Sequence, residues 1–333
     1  MTRRDEVLEA LREAGDAGLS GQELAGRLGI SRVAVGKHVA ALREAGYRVD
    51  AVPGRGYALV GVPDAPLPAE VKLFLRTTLW ERLEGGGETG STNTDAASLA
   101  RAGAPHGTAV LAAQQSAGRG RLGRSWESPT GGVYVSGVLR PALPPAALTG
   151  LPLAVAVGVA DQLAHLGVDA GVKWPNDLLL GGRKLAGVLL EMSAEADRTA
   201  WVVVGVGLNV SRTGDGVEGA AYLEDICAVG RARAAAAVLD GIAEGYRMLV
   251  EEGFGGVRSR FEARDVLARR AVRVRDADGR VLADGRAVGV DDEGRLLVED
   301  SGALVPVAAG DVTLRSDVTL PGEWPRGSTG ASS

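Results

Sequence analysis

Gly118-Arg119-Gly120-Arg121-Leu122-Gly123-Arg124, with Trp126 just beyond it, is the stretch from which the rest of the chain can be read. Three arginines alternate with three glycines, and no acidic residue stands between Asp95 and Glu127, so a flexible backbone carries concentrated positive charge. Glycine lets backbone N–H groups come close to an oxygen-rich ligand, and arginine offers phosphate or carboxylate a planar fork of donors. The spacing also satisfies G-x-G-x-x-G, but that dinucleotide fingerprint passes directly into a helix and needs an acidic residue about 20 positions later. Here Arg119 and Arg121 fill the close-approach positions, and the chain runs through Trp126, Pro129 and Gly131-Gly132 into a β-like segment with no helix. The reading is a loop that closes over an anion; a solvated basic hairpin tip is the plainer alternative.

At 333 residues the chain has room for two or three domains, and a hydrophobic fraction of 45% fits a soluble globular protein. The N-terminus lacks an apolar signal region, and the longest apolar run, Leu151 to Ala160, is too short to span a bilayer. The expectation is a cytoplasmic protein with no membrane partner. Cys227 is the only cysteine and there are three histidines, which excludes an intrachain disulfide and leaves no tightly bound metal expected. Chemistry must then come from Lys, Arg, Asp, Asn and the backbone. The net charge of −5 is unevenly spread, for Arg27 to Arg55 holds six Lys or Arg against Glu44 and Asp50, a local excess of +4 that can face phosphates.

Residues 3 to 14 place Val7, Leu8 and Leu11 at helical spacing, Ser20 caps a second helix over Gly21 to Leu28, and Ser31 caps a third over Arg32 to Ala45. Two helices joined by one tight Gly-Ile-Ser turn predict a helix-turn-helix. Val35, Val39 and Leu42 form the inner stripe of its second helix, which leaves Arg32, Lys37, His38 and Arg43 outside. Tyr47 to Leu59 reads as two short strands around Pro53-Gly54-Arg55-Gly56, a wing tipped by Arg55. A basic helix with a basic wing suits a DNA groove, although such units also serve as protein docking modules. Val60 to Glu70, with Pro63, Pro66 and Pro68, predicts a stiff linker.

Ser91-Thr92-Asn93-Thr94-Asp95 precedes a helix over Ala96 to Ala102, either as a simple cap or as a site where N–H groups and hydroxyls point outward. Gly107 to Ala113 and Val133 to Leu139 read as strands, and Leu148 to Leu166 as a buried apolar helix. Val172-Lys173-Trp174-Pro175-Asn176-Asp177 and Arg183 to Glu191, joined through Gly181-Gly182, predict a hairpin on which Lys184, Ala186, Val188 and Leu190 share a face. Lys184 is then a strand-edge charge or a functional cation. Gly205 and Gly207 alternate along a strand opening at Trp201, to admit a flat ligand or a crossing strand. Ala234 to Glu252 and Val257 to Glu262 read as helices around Gly253 to Gly256. Val272 to Leu314 predicts short strands with turns at Asp278-Gly279, Asp284-Gly285, Glu293-Gly294 and Ser301-Gly302, and Ser316 to Ser333 a disordered tail.

Ser-Thr-Asn at 91 to 93, Gln-x-x-Gly-Arg-Gly-Arg-x-Gly-Arg-x-Trp at 115 to 126, Lys-Trp-Pro-Asn-Asp at 173 to 177, Arg-Lys-Leu-Ala-Gly at 183 to 187 and Gly-Val-Gly-Leu-Asn at 205 to 209 occur in this order. Together they closely resemble the bacterial biotin protein ligases, and with the winged helix the chain is similar to the bifunctional biotin operon repressors over about residues 3 to 316. The resemblance implies an α+β multidomain chain: a winged helix-turn-helix over 1–62, a ligase domain over 66–268 like class II aminoacyl-tRNA synthetases, an SH3-like β-barrel over 270–316 and a tail over 317–333. It implies that biotin and MgATP give biotinyl-5′-AMP and pyrophosphate, and that the biotinyl group passes to a lysine of a biotin carboxyl carrier protein. The basic helix and wing are expected to bind operator DNA through Arg32, Lys37, His38 and Arg55, and because a single helix-turn-helix offers few base contacts a homodimer is expected.

By the same resemblance Lys184, Arg119 and Arg121 are catalytic, and Ser91, Thr92, Asn93 and Gln115 hold the biotin ring. Gly118, Arg119, Gly120 and Arg121 cover the acyl-adenylate, and Gly187, Gly205 and Gly207 line the biotin wall. Arg124, Trp126, Asn176 and Asn209 join Arg119, Arg121 and Lys184 about the adenylate, and Asp177 steers Mg²⁺ or the incoming lysine. Gln114 and Gln115 are adjacent, and Gln115 is taken because Gln-x-x-Gly then runs into Gly118. A sensor that has lost catalysis, or a lipoate ligase, would share the fold; the lysine and the arginine loop speak for the biotin enzyme.

Overall fold

The computed structural model describes residues 2–195 and 197–314. Helices α1 (Arg3–Ala14), α2 (Gly21–Leu28) and α3 (Arg32–Glu44) each begin at a hydroxyl cap, where Thr2, Ser20 and Ser31 accept the N–H of Asp5, Glu23 and Ala34. Strands β1 (Arg48–Val52) and β2 (Gly56–Gly61) pair antiparallel as the wing, closing at Val52 opposite Gly56. Val7, Leu8, Leu11, Leu24, Val35, Val39, Leu42 and Val49 form a core of their own under this unit. Arg43 is exposed as expected, and its guanidinium also donates to the Val49 carbonyl at 2.6 and 2.8 Å, which ties α3 to the wing.

The proline-rich stretch that follows is a strap rather than a spacer. Its last residues form the short helix α4 (Pro68–Val71), and Leu67 and Ala69 pack against the winged-helix core. Glu70 is buried, pairs with Arg12 and accepts the Tyr47 hydroxyl at 2.6 Å. Burial and that carboxylate push the Tyr47 hydroxyl well above its ordinary range. At the strap's other end Asp64 accepts the backbone N–H of Arg231 at 2.7 Å. Two carboxylates with tertiary partners, Asp64 and Glu70, fix where the stretch lies.

The central body follows in order: β3 (Arg82–Gly85), β4 (Glu88–Thr89), α5 (Thr92–Arg101), β5 (Thr108–Ala112), β6 (Gln114–Gln115), β7 (Gly132–Leu139), α6 (Leu151–Ala164), β8 (Gly171–Lys173), β9 (Asp177–Leu180), β10 (Arg183–Glu195), β11 (Arg198–Asn209) and α7 (Arg231–Glu262). Seven strands form one sheet in the order β3-β5-β7-β11-β10-β9-β8, in which only β3 and β5 run parallel. Helices α6 and α7 cover one face with an apolar core. They approach so closely that a Cβ on Gly158 would overlap the Gly241 carbonyl. Pro145–Ala164 is long and apolar enough to cross a bilayer by length and composition, yet α6 within it is buried at ten positions in this core. Helix α5 covers the opposite face over Val110, Val138 and Val203, leaving the neighbouring strands free to line a cleft.

A second sheet, antiparallel in the order β15-β14-β13-β12-β16, closes the chain with β12 (Ala271–Arg275), β13 (Val281–Val290), β14 (Leu296–Asp300), β15 (Ala303–Val307) and β16 (Asp311–Leu314). Its inner residues, among them Val272, Val298 and Val312, join the core under α6 and α7, and Trp174 Nε1 donates to the Gly294 carbonyl at 2.9 Å. Four expectations need correction. Asp284-Gly285 is not a turn but part of β13, where a Cβ on Gly285 would overlap the Glu299 carbonyl on the neighbouring strand. Helix α5 starts at Thr92, not Ala96, because Asn93 and Thr92 pack inward from its first turn. Helix α7 runs through Gly253 to Gly256, broken only at Gly253, whose φ is 66°. The arginine loop holds one 3-10 turn over Arg121–Gly123. The expected tail over 317–333 lies outside the described residues.

Candidate functional site

The chain lines a cleft of about 690 Å³ with the free end of α5, the arginine loop, strands β8 to β11 and the β12 and β16 edge of the second sheet. Its floor is made by glycines because other elements need the space. A Cβ on Gly205 would overlap Asn93 Oδ1, and one on Gly207 would meet the Trp126 indole. Gly187, opposite Gly207 across the β10–β11 ladder, also faces Trp126.

At the α5 end the polar groups form a short relay. The Thr92 N–H and hydroxyl reach Gln115 Oε1 at 2.9 and 3.1 Å, and Gln115 Nε2 donates to Ser128 at 2.8 Å. Ser136 Oγ lies 2.6 Å from Asn93 Oδ1 and 2.8 Å from Thr92 Oγ1. Asn93 Nδ2 is buried with no partner, as is Trp126 Nε1, so two donors stand unused in the wall. The Ser91 hydroxyl is buried at the N-cap without capping a backbone N–H. Such an end carries hydroxyl and amide groups that can hydrogen-bond a neutral polar ring.

Positive charge gathers beyond the glycine floor. Arg119 pairs with Glu191 at 2.6 Å, Arg121 donates to Asn176 Oδ1 at 3.1 Å, and Arg124 reaches Asp311 on β16 at 2.7 Å. Lys184 sits 2.8 Å from Asp177 Oδ1 and 4.9 Å from the centre of the Trp126 ring. Lys184 reaches the cleft by a route the alternation rule does not foresee. The β9–β10 register slips between Lys184 and Ala186, a bulge that inverts the side-chain parity. Leu185 and Ala186 turn into the core, and Lys184 shares its face with Gly187 instead of with Ala186 and Val188.

Of the residues singled out in the sequence, Ser91, Thr92, Asn93, Gln115, Arg119, Gly120, Arg121, Arg124, Trp126, Asn176, Asp177, Lys184, Gly187, Gly205 and Gly207 all line this cleft. Gly118 and Asn209 stand behind its wall. Gly118 accepts the Trp126 N–H at 2.9 Å at the base of the loop, and Asn209 donates its amide to the Lys184 carbonyl at 3.2 Å. Sequence reasoning missed Lys173, Ser136 and the second sheet's contribution around Arg275 and Asp311. A lone hydroxyl within the apolar run Val133 to Leu139 is a signal for Ser136; no local pattern marks the residues of the second sheet. On the winged helix, Arg32, Lys37 and Arg55 are exposed and His38 half-exposed.

Residues 86–209 match the biotin/lipoate A/B protein ligase family, residues 3–58 a helix-turn-helix (HTH) domain, and residues 270–315 the biotin protein ligase C-terminal domain. The chain is 35% identical over 325 residues to the bifunctional ligase/repressor BirA of Bacillus spizizenii, covering 94% of this chain and 99% of that protein. It is 34% identical to the bifunctional ligase/repressor BirA of Escherichia coli, covering 89% of this chain and 93% of that one. Among solved structures it is similar to a biotin protein ligase from Aquifex aeolicus in complex with biotin and ATP, with a TM-score of 0.61 at 27% identity over 71% of this chain and 99% of that one. With its winged helix, glycine-floored cleft and closing β-sheet in the same order, the chain belongs to the family of bacterial bifunctional biotin protein ligases and biotin operon repressors.

Proposed function

We propose that the cleft joins biotin to AMP from ATP and then passes the biotinyl group to a lysine of a biotin carboxyl carrier protein, and that the winged helix sets the same chain on operator DNA as a biotin-responsive repressor. One observation carries the ligase reading: the polar slot at Ser91, Thr92 and Asn93 is continuous, across the glycine floor, with the cations Arg119, Arg121 and Lys184. That layout matches a neutral polar ring joined through an aliphatic chain to a phosphate.

In the first step a carboxylate oxygen of biotin attacks the α-phosphorus, the bond from that phosphorus to its bridging oxygen breaks, and the electron pair leaves on pyrophosphate. Two anions must meet in line, so Arg119, Arg121 and Lys184 compensate the approaching charge. Each gives up an internal partner, Glu191, Asn176 or Asp177, for a ligand oxygen. The loop then shields the mixed anhydride from water. In the second step the neutral acceptor amine attacks the acyl carbon, AMP leaves with the bonding pair and the amine gives up one proton to solvent as the amide forms; Asp177, released by Lys184, steers the amine or Mg²⁺. Among the described residues no three His, Cys, Asp or Glu gather as a metal site, so Mg²⁺ is taken to arrive on the triphosphate, where it screens phosphate charge.

A sensor with lost catalysis would not need a lysine and three arginines around one slot. Purified protein incubated with ATP and biotin, with lipoate as control, should yield a bound mass equal to biotinyl-AMP. No adenylate from biotin would overturn the reading. We also propose that biotinyl-AMP, by engaging the arginine loop, favours a homodimer that occupies paired half-sites in the cytoplasm. Sedimentation with no ligand, with biotin and with biotinyl-AMP tests this, and equal dimer fractions in all three would remove the link.

A further inference from the structure

Lys173 is a cleft cation whose ammonium is given no partner by the described residues. Among the described residues its side chain has no hydrogen bond and no ion pair, whereas the side chains of Arg119, Arg121, Arg124 and Lys184 each hold an internal partner. The one carboxylate within its ladder, Asp177, is engaged by Lys184. Burial disfavours the charged ammonium and pulls Lys173 below the usual lysine range, with Asp177 and Asp311 acting to restore it and Lys184 and Arg124 opposing. A half-buried amine kept among other cations, without a partner of its own, is placed for an anion from outside.

The ladder registers say where that anion lies. Gly207 stands opposite Gly187, Gly187 opposite Asp177, and Asp177 opposite Lys173, so these four residues form one row across β11, β10, β9 and β8. Neighbouring strands are about 4.8 Å apart, so Lys173 lies roughly 14 Å from the Gly207 position along the row. Trp126 marks the ring end of the row and Lys184 stands beside its middle, against Gly187. Lys173 is at the far end, toward the Arg124–Asp311 pair.

Resting on the biotin-activation reading above, we infer that Lys173 binds the β- and γ-phosphates of ATP and receives the charge of the departing pyrophosphate. Lys184 serves the reacting carboxylate and α-phosphate. When the bond between the α-phosphorus and the bridging oxygen breaks, the electron pair moves onto that oxygen, and Lys173 is the cation facing it. Lys173 therefore has work only in the first half-reaction, because pyrophosphate is gone before the acceptor lysine arrives.

The test separates the two halves in the full-length chain. Lys173→Met keeps the aliphatic stem and removes the charge, and Lys173→Arg keeps the charge. Adenylate synthesis is followed by pyrophosphate release, and transfer is followed with synthetic biotinyl-AMP and a carrier domain. In Lys173→Met, kcat/KM for ATP should fall on the order of 10²-fold. Inhibition by added pyrophosphate should weaken, transfer from biotinyl-AMP should stay within about twofold, and Lys173→Arg should recover most of the loss. An equal fall in both halves would show a structural role, and unchanged adenylation would show that Lys173 does not meet the phosphates; either overturns the inference. Wild-type protein that forms no adenylate would instead sink the underlying reading, and pyrophosphate binding to wild type and Lys173→Met by calorimetry would still decide the role of Lys173.

Discussion

On α3 and the wing, Arg32, Lys37 and Arg55 stand in water with no side-chain hydrogen bond or ion pair among the described residues, whereas Arg119, Arg121, Arg124 and Lys184 at the cleft are each already held by a group of the protein. Both sets are read as meeting phosphate. The difference lies in what is fixed beforehand. A cation held by Glu191 or Asp177 has its position and orientation set before the ligand comes, and binding exchanges one anion for another with little reorganisation. A free surface cation keeps its rotamer freedom and its water, and gains affinity by releasing counter-ions from the duplex. The first arrangement suits a transition state that must be matched to a fraction of an ångström. The second suits a long polyanion that is searched by sliding.

Lys184→Ala is the change expected to separate the two sets most. It removes the cation beside the reacting carboxylate and also leaves Asp177 uncompensated near the incoming phosphates. Adenylate synthesis should fall by about 10²–10³-fold, roughly 3–4 kcal/mol of transition-state stabilisation. Operator binding and the unfolding midpoint should hold, since Lys184 is no part of the core. The defect should also stay constant between about 50 and 200 mM salt, because a bound, enclosed ligand is poorly screened. Single-turnover formation of biotinyl-AMP measures it, and near-normal synthesis would refute the assigned role.

Much of this contrast is legible in the sequence because it is local. The arginine loop, the Lys-Trp-Pro-Asn-Asp turn and the alternating Gly205 and Gly207 declare themselves within a dozen residues. What is not legible depends on partners far away in the chain. Gly285 resembles a turn glycine, but it is there because β14 passes against its Cα. Asp64 and Glu70 read as linker charges, yet one holds the start of α7 and the other the base of the winged helix. Lys184 points into the cleft through a bulge that no alternation pattern encodes. Lys173 lies within a motif, but its lack of a side-chain partner becomes visible only when Arg119, Arg121, Arg124 and Lys184 are seen to have theirs.

Burial acts differently on a carboxylate that no cation compensates. Asp265, next to β8, is buried, and among the described residues its carboxylate accepts only the Leu267 N–H, at 2.8 Å. Burial pushes its carboxyl up to about 6, with Glu262 adding to the rise. The folded protein thus holds a proton that the unfolded chain releases near pH 4, and the stability it contributes at low pH is lost as pH rises from about 4 to 6. Asp265→Asn keeps the acceptor for Leu267 and removes the charge. It should flatten that stretch of the stability profile and stabilise the chain at pH 7 by about 1–3 kcal/mol. Urea midpoints at pH 5 and pH 7.5 measure it, and a variant no more stable than wild type at pH 7.5 would show that Asp265 is not the group that titrates.

The smallest effects should come from the free cations, and their salt dependence is what identifies them. Arg32→Ala, Lys37→Ala and Arg55→Ala each delete one exposed charge with no side-chain hydrogen bond or ion pair among the described residues, so none should shift the unfolding midpoint by more than about 0.5 kcal/mol. Each that faces a phosphate should make the plot of log affinity against log salt shallower by about one unit, and weaken binding to operator and unrelated DNA alike. A residue that reads a base edge behaves otherwise, for its removal lowers the preference for operator and leaves the slope nearly unchanged. Arg32 opens α3, the end of a recognition helix that enters the groove, so it is the one expected to depart from the phosphate pattern. Arg55, at the wing tip beyond β1, should follow it. Fluorescence anisotropy across a salt series with operator and scrambled duplexes distinguishes the two behaviours. If all three variants kept the full wild-type slope and affinity, the open cations would not be a phosphate-binding set, and the contrast with the cleft would rest on exposure alone.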